Sequence, residues 1–146
     1  MATLHDAPHR TALRERVRAL RPDAERRWGS MTVDQMLWHV NQGLEQALGE
    51  TTAAPMKAPL PPGVMRFLVL TLPWPKDAPT MPELVAKERH DFAREQARCL
   101  ALIDRVGERP LTSAWPVHST FGAMHGRHWS ALMAKHLRHH LAQFGS

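Results

Sequence analysis

Tyrosine is absent from this chain, cysteine occurs once, and no long uninterrupted apolar run is present. Each absence removes a class of protein. The single Cys99 rules out an intramolecular disulfide framework and fits a reducing compartment. The longest apolar stretch, VMRFLVLTLPW, contains Arg66 and ends in prolines, so it is too short to span a bilayer. The opening MATLHDAPHRTALRERVRAL lacks the continuous apolar core of a secretory signal. A soluble, cytoplasmic protein with no membrane partner is the expectation. With tyrosine missing and β-branched runs scarce, a large sheet is hard to build. There is also no Gly-rich phosphate loop, and no Ser-His-Asp spacing stands out.

What is present fits one domain over residues 1–146, long enough to bury a real core. The formal net charge of +5 invites a nucleic-acid reading. Much of the basic excess lies in residues 10–27, where Arg10, Arg14, Arg18 and Arg21 share one helical face and Arg16, Arg26 and Arg27 do not join it. No aromatic platform is interleaved with these arginines, and no zinc-finger, homeodomain or basic-zipper pattern occurs. A solvated helix surface is the expected role for that face, and nucleic acid is not the expected partner.

Periodicity predicts four main helices. The first runs from about Pro8 to Leu20, with Leu13, Val17 and Leu20 inward, and stops at Arg21-Pro22 and Gly29. The second starts after Thr32, whose spacing to Gln35 is that of a capping box, and reaches Gly49. Most of the prolines fall in residues 50–82, where PPGVMRFLVLTL predicts a short apolar helix and LPWPKDAPTMPEL an extended, turn-rich strap. The third main helix is expected from about Pro82 to Val106, with Leu84, Phe92, Cys99, Leu102, Ile103 and Val106 inward. The last is expected from about Gly126 to Phe144. Four amphipathic helices of this length favour an all-α bundle.

Three histidines stand on the inward stripes. His39 shares its stripe with Met36, Val40 and Gly43, and His136 and His140 share theirs with Trp129, Leu132, Met133, Leu137 and Leu141. His136 and His140 lie about 40° apart around an α-helix. A buried imidazole needs a hydrogen-bond partner or a metal, because an unpaired polar group in an apolar setting is costly. One reading is therefore a metal held by His39, His136 and His140, and the other is three core histidines satisfied by protein groups. Leu137, where zinc proteases carry their glutamate base, argues against that class. Imidazole suits zinc, nickel, iron or copper about equally. Such a set leaves an open position, at which the pKa of a water or thiol falls. His139, about 60° from His136 on the other side, is a second-choice ligand. His118, His125 and His128 either border the mouth of the site or lie on the solvated surface, the latter being the main expectation. Glu88, Asp91 and Glu95 share a helical face, to orient an imidazole or to pair with Arg94 and Arg98. Cys99 is expected to be an inert buried thiol.

Three blocks resemble the DinB superfamily, in a branch catalogued as a domain of unknown function: Trp28–Gly49 (WGSMTVDQMLWHVNQGLEQALG), Leu72–Leu84 (LPWPKDAPTMPEL) and His118–Gly145 (HSTFGAMHGRHWSALMAKHLRHHLAQFG). They follow the family's order and cover most of the chain beyond the first helix. One departure is visible, since the family usually has His-Pro where this chain reads His118-Ser119. The resemblance implies a four-helix bundle of the DinB-like type, often a homodimer. It also implies a divalent ion on a three-histidine set, which falls here on His39, His136 and His140. Zinc or nickel ranks first for that ion, with iron or manganese next. Characterised relatives include transferases and isomerases that use a low-molecular-weight thiol. By that resemblance the first expectation is a metal-dependent thiol S-transferase acting on a small-molecule substrate, with Arg66, Lys76 and Arg127 as holders of the thiol's carboxylates. A metal-dependent hydrolase and a non-enzymatic, dimeric, metal-binding stress-response module are the alternatives.

Overall fold

A computed structural model describes all residues, 1–146, and the chain is all-helical, with no strand beyond one isolated bridge between His118 and Gly122. Five α-helices follow one another: α1 (Ala7–Ala19), α2 (Val33–Ala47), α3 (Pro62–Thr71), α4 (Phe92–Glu108) and α5 (Gly126–Gln143), with a short 3₁₀ turn at Pro82–Leu84 between α3 and α4. Twenty-two buried residues form one cluster, to which α1, α2, α4 and α5 all contribute. Leu13 and Val17 of α1, Leu37 and Leu44 of α2, Ile103 and Val106 of α4, and Trp129 and Leu137 of α5 are among its almost fully enclosed members. The short α3 differs, because none of its residues is buried. It leans on α5 through Val69 and Leu70, and Lys135 of α5 donates to the carbonyls of Val69 and Leu72.

Local chemistry explains where the helices that carry histidines start and stop. Gln35 reaches back to accept the Thr32 N–H at 3.0 Å, so the capping arm predicted for α2 is formed. At the other end Glu50 N–H bonds Glu45 O at 2.9 Å and Gly49 N–H bonds Gln46 O at 3.0 Å, with Gly49 at φ +76°. That is a Schellman stop, which needs a residue free to take a positive φ. Helix α5 ends in the same way at Gly145, where φ is +73° and Ser146 N–H bonds Leu141 O at 3.0 Å.

Two expectations need correction. The third main helix does not begin at Pro82. The proline starts a single 3₁₀ turn, Val85 is already extended, and α4 begins only at Phe92, after Asp91 accepts the Arg94 N–H at 2.8 Å as its N-cap. The stretch between is drawn to α2 instead. Buried Asp34 accepts from Arg89 at 2.9 Å and from the His90 N–H at 2.8 Å, while the His90 ring stacks on Trp38 at 5.1 Å. Glu88 and Asp91 therefore lie outside the helix. Glu95 is used within the fold, binding Asn41 at 2.9 Å and Arg98 at 3.0 Å. The arginine face of α1 is likewise not simply solvated. Arg14 donates to Asp104 of α4 at 2.5 Å and to Leu100 O at 2.8 Å, and Arg10 donates to Leu4 O at 3.0 Å.

Candidate metal centre

His39 leaves the inner face of α2 and His136 and His140 leave consecutive turns of α5, so the three imidazoles meet between the two helices. Their ring centroids stand 4.8, 4.6 and 4.8 Å apart, with planes inclined at 71°, 76° and 78° to one another. This is close to a threefold arrangement, edge to face. One nitrogen from each ring lies within 4.8 Å of the other two, and no carboxylate or thiolate joins the group. Gly43 makes the approach possible. A Cβ there would stand 3.2 Å from His136 Nδ1, so a larger residue would push against that ring.

The hydrogen bonds behind the rings decide which nitrogen carries a proton. A backbone carbonyl can only accept, so His39 Nδ1–H donates to Leu84 O at 2.7 Å, and the lone pair is left on Nε2. Gln143 plays the same part for His140. Its Nε2 donates to Trp28 O at 2.9 Å, which orients the amide, and its Oε1 accepts from His140 Nδ1–H at 2.9 Å. His39 Nε2 then accepts from His136 Nε2–H at 2.9 Å. The set fits a divalent ion: two lone pairs are already aimed inward, and the third nitrogen is freed when its proton is lost or moves to Nδ1. Outer hydrogen bonds of this kind are what hold ligand imidazoles in metal sites.

Burial keeps the set neutral. It pushes His39 and His136 down from the ordinary histidine range, and with His39 beside it takes His140 to about 3. Neutral imidazole is the form that binds a metal. Cys99 is elsewhere, fully enclosed on α4, with its thiol pushed up to about 12 by burial. As expected for a core thiol, it has no thiolate to offer.

The three histidines form part of the wall of a cavity of about 970 Å³. Trp28, Trp74 and the thioethers of Met31, Met56, Met65, Met81 and Met133 are among the apolar groups of the wall, and Lys57, Lys76 and Asp77 are its charged groups. Trp74 is fixed by an indole N–H bond to Val69 O at 2.8 Å, and the Lys76 ammonium lies 5.1 Å from the Trp28 ring centre. Lys135 lies over Trp74 at 5.5 Å.

The other histidines fall in different places. His139 does not join the triad. Its offset around α5 turns it between Trp28 and Trp74, at 5.8 and 5.5 Å, although it does face the cavity. His118 is buried in the cavity wall, not solvated. His125 and His128 stack on each other at 3.7 Å, away from the cavity. Of the three cations proposed to hold a thiol's carboxylates, only Lys76 lines the cavity. Arg127 is not in the wall, and Arg66 donates to Ala123 O at 2.6 Å. Sequence reasoning passed over Gln143, although its position one turn after His140 was readable. It also missed the Leu84 carbonyl and the two indoles, which only the chain's path brings to the site.

Among protein-family models, one described as DinB superfamily matches residues 7–144. No curated protein and no solved structure matches the chain.

Proposed function

The chain belongs to the DinB superfamily, and on that premise we propose that it is a metal-dependent enzyme whose divalent ion sits on His39, His136 and His140. The fold proposed with it is a single-domain four-helix bundle of the DinB-like type, in which the proline-rich strap covers the site. The proposed reaction is transfer from a low-molecular-weight thiol to a small electrophilic substrate, in the cytoplasm. One observation carries this reading: three neutral imidazoles converge within 4.8 Å on the wall of a cavity of about 970 Å³. That volume suits a small-molecule ligand. When bound, a divalent ion supplies Lewis-acid chemistry, lowering the pKa of a thiol or water next to it.

The chain's own residues would do the rest. Leu84 O and Gln143 hold two of the rings in their metal-binding tautomer. Trp28, Trp74 and the methionines exclude water and accept an apolar body. Lys57 and Lys76 outnumber Asp77, so an anionic group is favoured in the cavity. Exposed Val64, Phe67 and Leu72, at 43, 65 and 53 % of their full areas, support a homodimer through α3. Sedimentation velocity tests that arrangement.

Metal analysis of protein purified without an affinity tag tests the central claim. About one divalent ion per chain is expected, zinc or nickel first and iron or manganese next, and His39→Ala should abolish it. A metal-free preparation whose stability His39→Ala leaves unchanged sinks the reading. Turnover of ester or amide substrates with no thiol added would replace the transferase by a hydrolase. A metal-loaded protein inert in both assays would indicate a non-enzymatic, metal-binding stress-response module.

A further inference from the structure

The turn after residue 117 builds an unusual group into the cavity wall. His118 N–H donates to Gly122 O at 2.9 Å and Gly122 N–H returns to His118 O at 3.1 Å, closing the segment on itself. Within this loop the His118 ring accepts two backbone N–H bonds on one nitrogen, from Thr120 at 3.0 Å and Phe121 at 3.2 Å, both to Nδ1. A nitrogen engaged as an acceptor carries no proton, so the ring hydrogen is on Nε2. Phe121 lies flat on the ring at 4.3 Å and 17°, and Trp129 packs at 5.2 Å. The residue is 6 % exposed and lines the same cavity as the three converging histidines. Its Nε2 has no partner within the protein, and it is not among the side-chain nitrogens and oxygens sealed from solvent.

This geometry narrows what the group can do. With Nε2 protonated it has no lone pair for a metal, so it is not a fourth ligand. Protonation at Nδ1 would cost both turn bonds, and burial already takes the pKa down to about 4. The ring therefore stays neutral and in one tautomer through the neutral range. A fixed N–H in a largely apolar wall is matched to an acceptor oxygen, and a ligand without one leaves that donor unpaired.

We propose that His118 is a recognition residue of the cavity, donating Nε2–H to a carbonyl or carboxylate oxygen carried on the apolar body of the bound molecule. The inference rests on reading this cavity as the substrate site, but it does not require the metal. It is tested with the full-length, metal-free protein and two probes of similar shape, 2-acetylnaphthalene and 2-isopropylnaphthalene, titrated by calorimetry. The ketone is expected to bind roughly fivefold to tenfold more tightly. His118→Asn keeps an acceptor oxygen for the two turn amides, and its shorter amide cannot carry an N–H to where Nε2–H stands. It should abolish the preference, read as the ratio of the two affinities, so that a change of wall shape felt equally by both probes cancels. Equal affinities in the unmodified protein, no binding of either probe, or a preference that survives His118→Asn overturns the proposal.

A second measurement does not depend on the variant. Long-range proton–nitrogen spectra of the unmodified protein should show Nε2–H, unchanged between about pH 5 and 8, and a proton found on Nδ1 overturns the assignment. Absence of metal uptake with the ketone preference intact would remove the metalloenzyme reading and leave His118's role standing.

Discussion

Gln143 does for His140 what a main-chain carbonyl does for His39, and the two supports differ in how exposed they are to mutation. The carbonyl of Leu84 cannot be removed by substitution, but the amide can. Gln143→Leu should keep the helix, because position 143 is 3 % exposed and takes an apolar side chain of similar size. It should weaken zinc binding roughly tenfold to a hundredfold, as losses of outer hydrogen bonds to metal ligands do. Competition with a chromophoric chelator measures this, and an unchanged affinity would separate Gln143 from the site. The residue scale is also where the sequence is most readable. A 3.6-residue period was enough to set His39, His136 and His140 on inward stripes and to turn His139 aside. It could not reveal that the donor behind His39 is backbone from another segment, because a carbonyl has no letter of its own.

Helix boundaries follow the strongest local partner, and this is why α4 begins ten residues later than its first proline predicts. Pro82 is a good first residue for a helix, but Asp34 of α2 competes for the chain seven residues on. Burial pushes that carboxyl up, while the Arg89 guanidinium and then the His90 N–H more than reverse it, to about 2. The folded pKa is thus below the ordinary carboxylate value. The resulting stability is complete above about pH 4 and is lost as the pH falls from there toward 2. Asp34→Asn should cost about 1–3 kcal/mol at neutral pH and should flatten this acid limb. Urea unfolding at neutral pH and near pH 3 would show both effects, and an acid limb as steep as before would mean that the tether lies elsewhere. The α1 arginines make a related point. Their spacing showed a shared face, but not that Asp104 on α4 would meet it. With Arg10 and Arg14 so engaged, that face has less free charge for phosphate than the net charge suggests.

Taken whole, the molecule joins its site from three separated stretches: α2, α5 and the segment around Leu84. An ion on the histidines would tie all three together. Zinc should therefore raise the melting temperature as its free concentration rises above Kd. It should also slow amide exchange around residues 81–91 as well as in the two helices. Protection confined to α2 and α5 would show that the segment does not share in binding. The all-helical class and the helix that carries each histidine were legible beforehand, because amphipathic periods are local. The cavity was not, since its walls come from residues more than a hundred positions apart, such as Trp28 and His139. Its methionines carry a further consequence. Five of the chain's eight line it, and of these Met133 also belongs to the packed interior, with Met36 and Met124. Peroxide that enters the cavity meets thioethers first, and each sulfoxide formed turns a soft, oily contact into a polar, chiral one. Oxidation at Met31, Met56, Met65 or Met81 would reach the cavity's ability to hold an apolar molecule, and only at Met133 would it strike the packed core as well.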